Sequence, residues 1–537
     1  MEAAHESQSE VLRPGKAGAL CGLSAALALA AGLGLRLWML KQFFLVNGDS
    51  LIYGGLAKNL LLHGRYALNG AGNELYSTLI RLPGYPLFLA GCFRVFGMEN
   101  YASAAWVQIV LELVGCLLLA DFARRIAPAA LSRGAAHCTL WLAALCPFTA
   151  VYAAEPMAEA LTLFMVALAL WSAARFRARP GWGPALGFTF AVTYAALLRP
   201  DGALVALALV PALLVSLGGP KAPCPVILSG AQRSRRTCVS SFFWRKGGKP
   251  QLSDALPGAP SLLRSCFCPK GGKLRLSEAS KFLRMAVVCA LLALLPFAAW
   301  SWRNWRVFHV FEPLAPRLAT DPGELPHAGW ERWVKSWCLD FVSTYYVYWN
   351  VPGDVLDVSK LPNRAFDSPA QYAETAALAA DYNVNQELTP ALDARFGKLA
   401  GERIAAHPLR SAVWLPLGRM ADMWLRPRVE NLPIDLDWWV YENHNAETLF
   451  SWAYAGLNAL YLLLGIAGVC LRPRFWRPML AYLLLRSALL TTIGAPEARY
   501  TLECFPMLFA LGGVALYRLI TWVLLVVLKV NASTGRG

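Results

Sequence analysis

The side chains with chemistry to offer sit in short polar stretches between apolar runs. The richest is residues 47–86, which carries Asp49, Tyr53, His63, Arg65 and the run Arg81-Leu-Pro-Gly-Tyr-Pro86. Further along come Glu155 and Glu159 flanking a proline, Arg199-Pro-Asp201, Arg303-Asn304 with Arg306, and Glu497, Arg499 and Tyr500. A positioned carboxylate takes a proton from an attacking hydroxyl or amine, and arginines neutralise charge that builds on a departing anion. Each motif also has an ordinary reading. Glu-Pro and Arg-Pro-Asp occur at helix ends, and a single arginine at a membrane edge often snorkels. Asp49 before Ser-Leu-Ile-Tyr-Gly-Gly-Leu-Ala reads as an N-cap, with Leu51, Ile52, Leu56 and Leu60 as a lipid-facing stripe. Asp49 and Tyr53 lie one turn apart and share a face of that helix. His63 reads as a surface or interfacial histidine.

The elements that must position these groups are apolar. The chain is 57% hydrophobic with a mean hydropathy of +0.42, above the roughly 45–50% of soluble domains. A helix crosses a bilayer with about 20 apolar residues, because its backbone polar groups must be satisfied within the segment. Spans are expected near 17–39, 101–123, 135–151, 157–174, 183–198, 203–218, 284–302, 447–470, 478–493 and 503–527. The fold class is therefore an all-α polytopic membrane protein of about ten helices. The first apolar run, Ala17 to Leu35, is too long for a cleavable signal and reads as a retained span.

Charge orients the spans. Arg124, Arg125 and Arg133 follow the second, Arg175, Arg177 and Arg179 the fourth, and a basic insert the sixth. Arg472, Arg474 and Arg477 follow the eighth, and Lys529 and Arg536 the tenth. Loops rich in Lys and Arg stay cytoplasmic, so both termini are expected inside, and 47–100, 152–156, 199–202, 303–446 and 494–499 outside. The organisation reads as a tail 1–16, a transmembrane module 17–218 containing the external loop 47–100, the insert 219–282, and a single helix 283–302. An external segment 303–446, transmembrane helices 447–527 and a cytoplasmic tail 528–537 complete it. Within 303–446, Ser368–Tyr382 and Leu392–Ala406 read as helices, and Pro408–Leu425, with Arg410, Arg419 and Asp422, as a segment at the membrane surface.

Several function classes drop out. The net charge of +16 sits in orienting loops and the insert, a placement that fits no nucleic-acid groove. The 13 cysteines form no disulfide framework. The insert holds twelve Lys and Arg against Asp254 and Glu278, and reads as a tolerated low-complexity insertion. Binding of anionic membrane lipids is its functional reading; a zinc site from Cys224, Cys238, Cys266 and Cys268 matches no common spacing.

The motifs together resemble the GT-C glycosyltransferases, in particular the branch of protein O-mannosyltransferases and lipid A aminoarabinose transferases. The resemblance rests on Gly48-Asp49-Ser-Leu-Ile-Tyr53-Gly-Gly-Leu-Ala57, Arg81-Leu-Pro-Gly-Tyr-Pro86, Glu155-Pro-Met-Ala-Glu159, Arg199-Pro200, Trp302-Arg303-Asn304-Trp-Arg-Val-Phe and Glu497-Ala-Arg499-Tyr500. It covers most of spans one to seven and the last three, but not the insert. It implies a GT-C-type bundle and transfer of a sugar from a polyprenyl-phosphate donor to a lipid, glycan or protein acceptor. The setting would be the periplasmic face of a bacterial inner membrane. By the resemblance, Asp49 assists the acceptor. Arg499 is the first candidate for the donor phosphate, with Arg81, Arg199 and Arg303 behind it. Tyr53, Tyr85 and Tyr500 are candidates to contact sugar or phosphate, and Glu155 and Glu159 complete the expected donor site. The first loop lacks the Asp-x-Asp pair of metal-dependent relatives, so neither metal nor cofactor is expected. A transporter or flippase is the alternative, and it asks for an internal repeat and mid-membrane ionisable residues. No clear repeat is seen, and Glu112 is the main such residue in the spans.

Overall fold

The computed structural model describes residues 14–70, 72, 74–218, 271–316, 320–436, 438, 439 and 445–534. Most of the insert 219–282, including its four cysteines, lies outside the described residues, as do most of tail 1–16 and the last residues of tail 528–537. Ten helical regions match the ten expected spans. They are α1 (Pro14–Phe43), α4 (Tyr101–Ile126), α5 (Ser132–Ala144) with α6 (Pro147–Ala154), α7 (Ala158–Ala178), α8 (Trp182–Leu198), α9 (Ala203–Gly218), α10 (Gly271–Phe308), α16 (Asn445–Cys470), α17 (Trp476–Leu490) and α18 (Phe505–Thr534). Among the described residues six helices are long and apolar enough to cross a membrane, or seven if the bent pair α5–α6 is one span. The others are about as long as the sequence reading expected, but short for a full crossing. α8, α9 and α17 have 17, 16 and 15 residues, against the about 20 that a full crossing takes. The chain is an all-α polytopic membrane protein, with one small hairpin.

The expected span 135–151 is broken, and proline explains the break. Pro147 has no N–H to give the Ala143 carbonyl and its ring crowds the preceding turn, so α5 stops and α6 leaves at 51°. Arg36 of α1, fully buried, donates to the Ala144 carbonyl at 2.7 Å and the Ala143 carbonyl at 3.5 Å. Its charge is matched by Glu112 of α4 at 2.7 Å.

Between α1 and α4 the chain builds α2 (Asp49–His63), the hairpin β1 (Ala67–Asn69) with β2 (Leu75–Ser77), and α3 (Gly84–Phe96). Two local expectations change. Asp49 is the first helical residue and not the cap; Gly48 precedes it, and no side chain caps the helix. The stripe is not lipid-facing throughout: Leu56 is fully buried against Tyr66, Leu79 and Leu82, while Leu51 stays exposed. Arg303 of α10 anchors this loop, donating to the backbone carbonyls of Tyr66 at 2.7 Å and Thr78 at 2.8 Å.

The segment after α10 forms α11 (Ala328–Lys335), the short α12 (Phe341–Ser343) running into a wide turn at Thr344–Tyr348, α13 (Pro369–Asn383), α14 (Pro390–Ala406) and α15 (Leu415–Leu425). The two helices read from sequence here thus fall within a residue or two of their expected bounds. Trp330, Trp333, Trp337 and Phe396 make its core. Arg419 is buried and donates to the Cys338 carbonyl at 2.7 Å, which binds Pro408–Leu425 into this unit. Two bonds dock the unit beside the site: Lys335 Nζ donates to the Thr492 carbonyl at 2.7 Å, and Thr344 Oγ1 to the Pro496 carbonyl at 3.1 Å.

Gly84 sets how closely the Arg81 loop meets the end of α8. A Cβ there would lie 2.6 Å from the Leu197 carbonyl carbon and oxygen, and the Tyr194 hydroxyl donates to the Gly84 carbonyl at 2.9 Å. Gly84→Ala is expected to cost about 1–3 kcal/mol, the usual range for overpacking. The check is unfolding of both proteins in the same detergent, where equal stability would remove the close contact from the packing scheme.

Candidate active site

Asp49 stands where α2 begins, and two arginines from far along the chain grip it. Arg81 Nη2 donates to Oδ1 at 2.7 Å, and Arg499 donates through Nη1 and Nη2 to Oδ2, both at 3.3 Å. Burial opposes the charge on Asp49, but the two guanidiniums outweigh it and hold the carboxyl below the usual carboxylate range. Its side chain keeps 22% exposure, so the ion is within reach of a ligand.

Behind this first line runs a second. Arg499 Nη1 also lies 3.6 Å from Glu159 Oε1, and its Nε donates to Glu497. Glu159 accepts from Arg199 Nη1 at 3.1 Å, and Arg199 Nε lies 3.0 Å from Glu503 Oε1. Glu503 and Asp201 in turn hold Arg486, a fully buried residue of α17. Tyr500 is a brace in this network. Its ring lies under the Arg199 and Arg499 guanidiniums at 5.2 and 5.7 Å, its hydroxyl donates to Glu497, and its carbonyl accepts from Arg486 at 2.8 Å. Four arginines and five acids thus join α2, the Arg81 loop, α7, the 199–202 turn, α17 and the 498–504 turn.

The network opens on a cavity of about 1740 Å³. Asp49, Arg81, Arg499, Tyr500 and Glu155 line it. Its far wall comes from α11 and the Thr344–Tyr348 turn, which contribute Arg332, Lys335, Tyr345, Tyr348 and Trp349. Glu155 sits between α6 and α7, where Asn431 Nδ2 donates to its two carboxylate oxygens at 3.0 and 2.9 Å. Burial, reinforced by the negative charge of Glu159, pushes its carboxyl up to about 8. Two carboxyls on one wall are thus driven apart, Asp49 ionised and Glu155 protonated at neutral pH.

The structure brings together Asp49, Arg81, Arg499, Tyr500, Glu155, Glu159 and Arg199. Tyr53 lies against them but packs edge-on to Tyr85 at 5.0 Å. Tyr85 is fully buried and bonded to Gln108, so its ring has no access to a sugar. Arg303 is not brought to the cavity wall and donates instead to the Tyr66 and Thr78 carbonyls flanking the hairpin and to Asn304 Oδ1. His63 and Arg65 are exposed at the end of α2. Sequence reasoning passed over Arg486, Glu503, Glu430 and Asn431. Arg486 and Glu503 were visible as charges within or at the edge of apolar spans; Glu430 and Asn431 carried no such signal. Among the described residues no three His, Cys, Asp or Glu side chains cluster as metal ligands.

Residues 81–225 match the family described as dolichyl-phosphate-mannose-protein mannosyltransferase. That stretch contains Arg81, Glu155, Glu159 and Arg199, and the match bears out the resemblance carried by the motifs. Among solved structures, ArnT from Cupriavidus metallidurans bound to undecaprenyl phosphate is similar over 92% of this chain and 77% of its own, with 16% identity and a TM-score of 0.34. The apo state of the same protein covers 94% and 78%, with 15% identity and a TM-score of 0.32. No curated protein matches the chain significantly.

Glu155 gives the site a measurable titration. Infrared difference spectra should show one carboxylic acid losing its proton with a midpoint near pH 8, a signal absent from Glu155→Gln. Loss of that proton near the ordinary glutamate value of about 4.3 would contradict the burial described here.

Proposed function

We propose that this protein is an integral-membrane glycosyltransferase that moves a sugar from a polyprenyl-phosphate donor to a lipid, glycan or protein acceptor. The observation that carries the reading is Asp49 on a cavity wall between the guanidiniums of Arg81 and Arg499. The family match over residues 81–225 supports it, since that family's description names a sugar carried on a polyprenyl phosphate. The loops that bear the site are those the arginine distribution assigns to the external face. That distribution supports a reaction on the periplasmic side of a bacterial inner membrane, with both termini cytoplasmic.

The chemistry follows from the charges. As the acceptor hydroxyl or amine attacks the anomeric carbon, the bond to the lipid phosphate breaks and the phosphate leaves as an anion. Arg81 and Arg499 are the donors for that anion, and charge-assisted bonds from guanidinium to phosphate are strong and often bidentate. The same two residues hold Asp49. A phosphate that takes their N–H groups loosens their grip and restores basicity to the carboxylate, which then accepts the acceptor's proton. Asp49 is thus switched on by donor binding. Glu159, Arg199 and Tyr500 hold Arg499 in place, Tyr53 packs behind Asp49, and Glu155, kept neutral, adds no repulsion to the phosphate. Arg303 holds the loop in shape and makes no donor contact. The cavity exceeds the roughly 300–1,000 Å³ of single-ligand sites, as two substrates require. A transporter asks for ionisable groups facing a path at mid-membrane, whereas Arg36 and Glu112 are sealed and bonded to helix carbonyls and each other.

The test is release of polyprenyl phosphate from an undecaprenyl-phosphate-linked sugar by purified protein in nanodiscs, with a cell-derived lipid and glycan extract as acceptor. Asp49→Asn is expected to lower the rate by about 10²–10⁴-fold, the usual share of a general base. A well-folded Asp49→Asn protein working near the wild-type rate would remove Asp49 from the reaction.

A further inference from the structure

The Arg36–Glu112 pair lies inside the bundle, away from the cavity, and nothing in the transfer chemistry uses it. A charge there is costly unless it is partnered, and two apolar residues of the same size would pack the same space as well or better. Its contacts say what it does. Arg36 Nε donates to Glu112 Oε2 at 2.7 Å, Nη1 to the carbonyls of Gly32 at 2.9 Å and Ala144 at 2.7 Å, and Nη2 to that of Ala143 at 3.5 Å. Ala143 is the residue whose carbonyl Pro147 leaves without a helical donor. One guanidinium therefore closes the broken end of α5 from a neighbouring helix. Gly32, one turn earlier, lets α1 come that close: a Cβ there would sit 2.9 Å from the Ala144 oxygen.

Both carboxyls of the site are reached from this point. α1 runs on from Arg36 to Phe43, about 10 Å at 1.5 Å per residue, and its end leads to Asp49. α6 runs from Pro147 to Ala154, also about 10 Å, and ends at Glu155. Leu33, Leu37 and Leu40 of α1 pack on a cluster that includes Ala153 of α6. The helix α4 repeats the arrangement at the cavity end. Gln108, one turn before Glu112, donates to the Ala153 carbonyl at 3.3 Å and the Glu155 carbonyl at 2.6 Å.

We infer that Arg36 is a positioning residue: balanced by Glu112, it locks the α5–α6 break against α1 and so sets the placement of Glu155 relative to Asp49. The inference rests on the reading that these two carboxyls flank the reacting groups.

Two variants separate positioning from mere stability. The double variant Arg36→Met/Glu112→Leu removes the charges together and leaves neither ion stranded, so it is expected to fold, with melting lowered only by the loss of the bonds to the Ala143 and Ala144 carbonyls. Arg36→Lys keeps the charge but lacks the fork that reaches the carboxylate and both helix-end carbonyls at once. In both, turnover of the undecaprenyl-phosphate-linked sugar is expected to fall about 10–100-fold, as misplacement of reacting groups does, with KM for the donor within about twofold of wild type. Hydrogen exchange of the amides from Phe148 to Glu155 is expected to rise, while that of α4 stays unchanged. Wild-type turnover in the folded double variant overturns the inference, whatever the exchange shows. If the wild-type protein itself transfers no sugar, the transferase reading has failed, and the exchange comparison alone decides the clamp: wild-type exchange in both variants overturns it, and raised exchange confined to α6 and Glu155 supports it.

Discussion

Arg499 and Asp49 are 450 residues apart in sequence and share an ion pair. That contact constrains the rest of the fold. It requires the first polar loop and the entry to the last long helix to meet at one end of the bundle. It also requires the unit built by residues 328–425 to leave room above them. The bonds from Lys335 to Thr492 and from Thr344 to Pro496 set that unit beside the 498–504 turn, so the cavity wall and the Arg499 guanidinium are placed by the same attachment.

Charge in so apolar a chain is expensive, and the pattern of pairing shows how the expense is met. Arg486 and Glu503 are sealed deep in the network, Glu159 is nearly so, and Asp49, Arg81, Arg199, Asp201 and Arg499 keep about a fifth of their side chains open. The arginines alternate with carboxylates, so each guanidinium that faces the cavity is already oriented by an acid behind it or beside it. Such pre-set donors need little reorganisation when an anion arrives. The same setting explains why Asp49 is held low and Glu155 high: two cations outweigh the burial of the first, whereas the second is buried beside a like charge.

Much of this was legible in the residues. Long apolar runs dictate helices because lipid leaves the backbone no other partner, and every expected span contains one. The motifs that converge, around Asp49, Arg81, Glu155, Arg199 and Arg499, were recognisable as polar islands in apolar surroundings. Partners were not legible. Asp49 looked like a cap because Asp before an apolar helix usually is one; only the folded chain shows its oxygens facing two arginines. Arg303 looked equivalent to Arg81, yet it donates to the Tyr66 and Thr78 carbonyls that flank the hairpin and to Asn304. The break at Pro147 was not read from the expected span 135–151, and the arginine that repairs it lies 108 residues earlier than Ala144, in another helix. Short, broken or charged helices such as α6, α8 and α17 are placed by tertiary packing, which hydropathy does not report.

The central feature of the proposed reaction is that one pair of guanidiniums serves both the carboxylate and the phosphate. Binding of undecaprenyl phosphate to the wild-type protein and to Asp49→Asn, measured side by side in nanodiscs at one salt concentration, tests it directly. Competition predicts tighter binding by Asp49→Asn, by about tenfold if one charge-assisted bond is released. Equal or weaker binding by the variant would mean that Arg81 and Arg499 are not shared, and that the carboxylate and the phosphate do not meet at this site.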